Sequence, residues 1–540
     1  MGEFDYIIIG AGSAGCVLAN RLSESGRQRV LLLEAGGSDA SPWIRVPVGY
    51  ARTFNDSRYN WLYRTEPEPA LENRAALWPR GKVLGGSSSI NAMVFVRGQP
   101  GDFDDWRDGG NPGWGWQDVL PYFRKLEDHA WGASEYHGAG GPVHVHDPAD
   151  TVHPLCKTFL AACTEAGIVI TRDFNGAVAE GAGLWQVTIR NGVRVSSASA
   201  YLRPARRRPN LELATGARAT RVLLNGATAS GVEYLRGGSR LTATARREVL
   251  VAAGAIGSPQ LLELSGIGDP ELLRRLGIAP LTALPAVGRG LQDHVCVSYF
   301  YRSRVPTLND ELAPFLGKAR AALRYAWRRD GPLSMSVNQA GAFVRSRREL
   351  GRPNLHIYFN PASYSTTTSG PSRRLLNPDP FPGFLMSFNT CRPTSRGSVH
   401  VRGADPLASP AIVPNSLSTP EDIADVYEGA RMLRRLSGTK PLAAVIEAEL
   451  LPGERVRSDA QVLEDFRHRA GSVFHPCGTC AMGPEPTRSV VDPRLRVHGV
   501  ANLRVVDASV FPSVTSGNIN APTLMLAEKA ADLIREDAGK

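Results

Sequence analysis

The stretch FHPCGTCAMG, residues 474–483, holds a histidine and two cysteines within six positions, a spacing that admits three chemistries. A structural zinc site wants four ligands. His475, Cys477 and Cys480 supply three, with no fourth in view. Pro476-Cys477-x-x-Cys480 matches half of a zinc-deaminase signature, but its other half appears only as Cys163-Thr164-Glu165, far upstream. A redox dithiol needs Cys-x-x-Cys at a helix start inside its own βαβ unit, a setting this stretch lacks. Proton transfer is the third chemistry. An imidazole with a pKa of about 6.5 is well matched to removing a hydroxyl proton near neutrality. The sequence is read as holding no metal.

A second constellation lies at the opposite end, in DYIIIGAGSAGCVLANRLSESGRQRVLLLEAGG, residues 5–37. Gly10, Gly12 and Gly15 complete G-x-G-x-x-G between an apolar strand and a helix, and Glu34 closes the next strand. The glycines allow a tight turn, close approach of a pyrophosphate to the backbone, and packing of helix on strand. The helix N-terminus then faces the diphosphate and the acid takes the ribose hydroxyls. This predicts dinucleotide binding without choosing between FAD and NAD.

Gly85-Gly86-Ser87 predicts a small-residue turn that brings backbone amides to the same ligand, with Asn91 able to bond a heterocycle. A strand over 248–252 runs into a helix at Gly254 and reads as packing rather than chemistry. Asp507-Ala508 follows a strand over 503–506, at the strand end where ligands of open α/β sheets lie. Pro522 marks the first turn of a final helix, whose start presents free amides and a partial positive charge.

Taken together, RGKVLGGSSSINAMVFVRGQPGDFDDW (80–106), GAIGSPQLLELSGIG (254–268), VGRGLQDH (287–294), residues 475–483 and VVDASVFPSVTSGNINAPTLMLAEKAAD (505–532) resemble the glucose–methanol–choline family of flavin oxidoreductases. The likeness is greatest to its choline-dehydrogenase and aromatic-alcohol-oxidase branch and covers nearly the whole chain. It implies an α/β fold, with a Rossmann-type FAD-binding domain and a discontinuous second domain of largely antiparallel sheet plus helices. It also implies FAD-dependent oxidation of a primary alcohol to the aldehyde, with hydride passing to flavin N5. Some members attach FAD through a histidine, but Ile90 holds that position here, so a non-covalent cofactor is expected.

By the same resemblance, His475 is the base and Asn520 steadies the alkoxide. Either Asn518 or Asn520 can cap the last helix, which leaves the division between them open. Cofactor contacts are expected at Gly10, Gly12, Ser13, Ala14, Gly15, Glu34, Ala35, Trp61, Val83, Gly86, Ser87, Asn91, Ala92, Met93, Val94, Val222, Asp507, Ala508, Asn518 and Thr523, and substrate contacts at Phe474, Tyr358 and Phe359. The substrate expected is a small aromatic or furanic, aliphatic or choline-like alcohol, and the electron acceptor O₂ or a quinone. Two alternatives are a non-redox hydroxynitrile lyase of the same family and a flavin-stabilised binding protein.

The flavin motifs assign 1–155, 196–300 and 470–540 to the FAD domain, and 156–195 and 301–469 to the substrate domain. The net charge of +10 is carried mainly by arginine in short scattered clusters without interleaved aromatics, which argues against nucleic acid. No apolar run reaches membrane-spanning length, though peripheral membrane contact stays open. An acidic start and seven scattered cysteines lead to a cytoplasmic expectation, as monomer or homodimer.

Overall fold

The computed structural model describes residues 2–364 and 378–539. The elements that build the site are, in chain order, β1 (Gly2–Ile9), α1 (Ser13–Ser23), β2 (Val30–Glu34), β3 (Gly181–Leu184), β4 (Leu211–Thr215), β5 (Ala217–Asn225), β6 (Thr228–Arg236), β7 (Ser239–Val251) and α2 (Gly254–Leu264). They are followed by β8 (Val295–Ser303), α3 (Phe315–Arg328), β9 (Ala340–Val344), β10 (Leu355–Asn360), β11 (Gly383–Thr390), β12 (Ile446–Leu451), β13 (Gly471–Ser472), β14 (Leu503–Val505) and α4 (Asn520–Ala538).

Two seven-stranded sheets organise the chain. The first runs β4-β2-β1-β7-β6-β5, with β14 added beside β7. Pairings among β4, β2, β1, β7 and β14 are parallel, while β5, β6 and β7 form an antiparallel meander. Buried on both faces, β2 reads Val-Leu-Leu-Leu-Glu with every residue inside, as a central parallel strand should. The second sheet runs β12-β8-β11-β10-β9-β3, with β13 beside β8, and is antiparallel throughout. Each sheet carries its own apolar core. Among the described residues no helix is long and apolar enough to cross a membrane.

Close backbone approach dictates the turn after β1. At Gly15 a Cβ would lie 1.8 Å from the carbonyl oxygen of Gly10, so only glycine lets α1 pack onto the strand it leaves. Cys16, Val17 and Leu18 are fully buried, and Leu22 nearly so. Truncating Leu18 to alanine should cost about 2–5 kcal/mol.

The C-terminal helix α4 completes this layer by lying against α1. Glu528, fully buried, accepts hydrogen bonds from Arg21 Nε and Nη2 (2.7–3.1 Å) and from the Tyr201 hydroxyl (2.9 Å). The Ser13 hydroxyl donates to Asn520 Oδ1 at 2.8 Å.

Candidate active site

A cavity of about 1340 Å³ runs from the β1–α1 turn to the second sheet. Small-molecule sites usually occupy about 300–1,000 Å³, so this one has room for a dinucleotide and a substrate. At one end stand Gly10, Gly12, Ser13, Ala14, Glu34 and Ala35, with Gly86, Ser87, Asn91, Ala92, Met93 and Val94 along the side. Two helix starts face it, those of α1 (Ser13, Ala14) and α4 (Asn520, Thr523), and neither has a side-chain cap. Free amides and partial positive charge at both starts suit the electron-rich parts of a nucleotide.

The fit to such a ligand can be tested at Gly86. Its φ is +52°, and a Cβ there would lie 2.7 Å from Gly12 Cα. The two glycine turns therefore touch, forming one bare backbone cradle that any side chain would fill. Beside it, burial raises the Glu34 carboxyl to about 7, against hydrogen bonds from Gly36 N (2.7 Å) and Ala11 N (2.9 Å). The residues present thus match a bound dinucleotide.

His475 lies buried at the other end. Its Nδ1 is 2.9 Å from Nδ1 of His294, whose Nε2 is 3.0 Å from the carbonyl oxygen of Cys391. A carbonyl can only accept, so His294 carries its proton on Nε2 and its Nδ1 is an acceptor. His475 must then donate from Nδ1, which leaves Nε2 with the lone pair. That lone pair faces the cavity, where Asn518 Nδ2 donates to it at 3.0 Å. Burial first, then His294, His356 and Arg80, hold the His475 pKa well below the ordinary value, so the ring is neutral near pH 7.

The turn carrying His475 is fixed by the residue before His294. Asp293 accepts from His475 N at 2.7 Å and from the Ser472 hydroxyl, which in turn accepts from Phe474 N at 2.7 Å. Burial raises the Asp293 carboxyl to about 7. Phe474 sits at φ +69°, a left-handed conformation uncommon for an aromatic residue, and Arg80 donates to its carbonyl. Strain of this kind persists only where surrounding contacts over-determine the backbone.

The structure places several of these side chains differently from the expectation. Asn518, not Asn520, meets His475, because the Asn520 side chain turns to Ser13 at the start of α1. Phe474 and Tyr358 line the cavity, whereas Phe359 stacks on Phe159 beneath the sheet (ring centroids 4.8 Å apart), since neighbours on a strand face opposite sides. Trp61, Ala508 and Thr523 reach the cavity; Gly15, Val83 and Val222 do not. Val83 is buried and bridges Gly37, and Val222 lies in the core with its N–H on Ser265 Oγ at 2.8 Å.

Asn91 lines the wall, but its Oδ1 already accepts from Arg194 (2.7 Å) and Met93 N (3.1 Å). Asp507 likewise has its carboxyl committed, to Gly254 N, Ser258 Oγ and Ser509 N at 2.6–2.9 Å. Cys477 and Cys480 are fully buried, and burial pushes both thiols up.

Residues 80, 293 and 294 belong to motifs quoted above, yet sequence reasoning assigned them no role. The adjacent Asp-His of VGRGLQDH was the available signal. Phe54 was also missed; it meets Phe474 edge-on, centroids 5.7 Å apart. Elsewhere, Glu127, His129 and His137 bring possible ligand atoms within 4.8 Å of one another. Arg97 already pairs with Glu127 at 2.8 Å, and His137 bridges Glu127 and Asp173. Burial would lower the His137 pKa, but these two carboxylates raise it to about 9, so the cluster balances its own charge.

The same arrangement of sheets and motifs is found in known proteins. The GMC oxidoreductase family models match residues 4–296 and 393–527. The chain is 42% identical over 537 residues to an alcohol dehydrogenase [acceptor] of Pseudomonas putida, covering 98% of this chain and 95% of that one. It is 43% identical over 543 residues to the mitochondrial choline dehydrogenase of Homo sapiens, covering 99% and 90%. The solved structure of a pyridoxine 4-oxidase from Mesorbium loti superposes with a TM-score of 0.89 at 34% identity, covering 98% of this chain and 99% of that chain. The chain belongs to the GMC oxidoreductase family.

Proposed function

We propose that this protein oxidises a primary alcohol to the aldehyde, using non-covalently held FAD, with His475 as the base. The observation that carries this reading is the His475 Nε2 lone pair, aimed into the cavity by a proton committed on Nδ1. The alcohol, choline and pyridoxine named for the similar proteins all carry a CH–OH group, which points to the same class of reaction.

Residues 1–155, 196–300 and 470–540 would hold the cofactor, and 156–195 and 301–469 would roof the substrate. The amides of Gly12, Ser13, Ala14, Gly86 and Ser87 would take the diphosphate, and Glu34 a ribose. Ile90, on the cavity wall, has no atom able to form a covalent link. Bound FAD supplies the two-electron acceptor for the hydride leaving the carbinol carbon.

The chain's own residues handle the proton and the oxygen. His475 Nε2 accepts the hydroxyl proton, and the resulting imidazolium keeps its Nδ1–H on His294. Asn518 Nδ2 lies at the same spot and can turn its N–H to the alkoxide oxygen, a contact that grows stronger as charge develops. Phe474, Phe54 and Tyr358 offer an apolar wall that keeps water from the reacting atoms and fits small aromatic, furanic, aliphatic or choline-like alcohols.

Anaerobic mixing with a panel of such alcohols tests this. The expected result is loss of the oxidised-flavin absorbance with at least one alcohol; absence of bleaching by all of them, with flavin bound, would overturn the reading. Colour that returns at once in air identifies O₂ as acceptor, and colour that returns only with added quinone identifies a dehydrogenase.

A further inference from the structure

Helix α3 presents to solvent what a helix normally buries. Trp327, Phe315 and Leu316, at 86%, 83% and 79% exposure, are the most exposed large apolar side chains among the described residues, and Leu323 on the same helix is 72% exposed. Leu316, Leu323 and Trp327 are spaced i, i+7 and i+11, which places them on a single stripe. Ala321 and Tyr325 face inward and anchor the helix, with the Tyr325 hydroxyl on Gly192 O at 2.8 Å. The outward stripe thus follows the helical period as closely as a core-facing one would, without a core to face.

Charge decides what could cover it. Lys318, Arg320, Arg324, Arg328 and Arg329 lie on this helix or at its C-terminal end, against one carboxylate within 315–330, Asp330, which pairs with Arg324 at 2.7 Å. Glu311 stands just before the helix, on the preceding turn. A second copy docked face to face would set these cations against their own counterparts. An anionic surface would be attracted to them while the apolar stripe enters its outer layer.

We propose that α3 is a docking helix for an anionic lipid bilayer. Its tryptophan suits the headgroup boundary, Leu316 and Leu323 reach the acyl region, and the flanking arginines stay with the lipid phosphates. The helix ends at Arg328, and within ten residues the chain reaches Val337 and Asn338, which line the cavity. Docking therefore brings this wall of the site to the membrane surface.

Co-sedimentation of the flavin-loaded protein with vesicles tests the proposal. Vesicles of phosphatidylcholine with about 30 mol% phosphatidylglycerol should bind at least tenfold more strongly than pure phosphatidylcholine, and about 0.5 M NaCl should weaken that binding. The double variant Phe315→Ser/Trp327→Ser and the charge variant Arg320→Glu/Arg328→Glu should each lose about tenfold or more in binding, with flavin content and solution turnover unchanged. Failure of the parent protein to bind anionic vesicles, or binding by both variants as strong as the parent's, would overturn the proposal. Self-association in sedimentation equilibrium that the double variant abolishes would overturn it in favour of a second copy as the occupant.

Discussion

His294 and His475 meet nitrogen to nitrogen, Nδ1 to Nδ1 at 2.9 Å, with their ring planes at 89°. Only one proton can occupy that line, and the Cys391 carbonyl assigns it to His475. Replacing His294 with phenylalanine leaves a buried N–H unpaired and frees the other tautomer. The kcat for alcohol oxidation should then fall about 10–100-fold, the usual cost of removing a group that orients a reactive histidine, with KM little changed. His294→Gln can both accept from His475 and donate to Cys391, so it should recover much of the loss. An unchanged kcat in His294→Phe would show that the relay has no part in the reaction.

His475→Ala should retain flavin and lose about 10²–10⁴-fold in kcat, the usual contribution of a general base. Steady-state rates divided by flavin absorbance measure this directly. Full activity per flavin would remove His475 from the mechanism.

The two asparagines should separate cleanly. Asn518→Ala removes the donor at Nε2 and should reduce kcat/KM about 10²–10³-fold without flavin loss. Asn520→Ala frees Ser13 at the start of α1, so flavin occupancy should drop while turnover per bound flavin holds. The reverse pattern would return the catalytic part to Asn520.

Two pH effects run in opposite directions. Burial holds the His475 pKa below 6.5, so kcat/KM should stay level as pH falls through 6.5 and decline only in more acid solution. Glu34 is raised from 4.5 to about 7 by burial. Between those values the folded flavin-free protein binds more protons than the unfolded chain, so this carboxyl costs stability as pH rises. The melting-temperature advantage of flavin-free Glu34→Gln over the parent should therefore grow from pH 5 to pH 8, by a free energy on the order of 1–3 kcal/mol. A constant difference across that range would contradict the shift.

Gly86→Ala should yield colourless protein, because its Cβ would press on Gly12 Cα at 2.7 Å within a left-handed turn. Gly26→Ala is the matched control. It also has positive φ, +73°, but nothing within 4 Å of the new Cβ, so it should keep its flavin and lose about 1 kcal/mol of stability. Equal flavin content in the two would show that the glycine cradle does not hold the cofactor.

The β1–α1–β2 unit could be read from sequence because its geometry is local. Three glycines and an acid at set intervals encode one turn, one helix start and one strand end, and these fold within 33 residues. The antiparallel second sheet came from the family resemblance rather than from a local signal, and its strand over Leu355–Asn360 is buried at every position. Adjacent residues of a strand point opposite ways, so Tyr358 and Phe359 could not both face the substrate. The choice between Asn518 and Asn520 was not legible. At a helix start, side chains two positions apart point in different directions, and the residue spacing alone does not say which faces a histidine 43 positions upstream. His294 depended on a partner 181 residues away, and the exposed stripe on α3 looks in sequence like any amphipathic helix.

The closure of α4 over α1 has a consequence for how this protein is made. Ser13 and Arg21 find their partners, Asn520 and Glu528, 507 positions later. At bacterial or eukaryotic elongation rates of about 5–20 residues per second, the first fingerprint waits roughly half a minute to two minutes for its covering helix. Throughout that interval the nucleotide cradle lacks one wall and α1 exposes the face that Glu528 will lock. Nascent chains that stop short of α4 should stay colourless and open to proteases, so flavin capture would mark the completed chain.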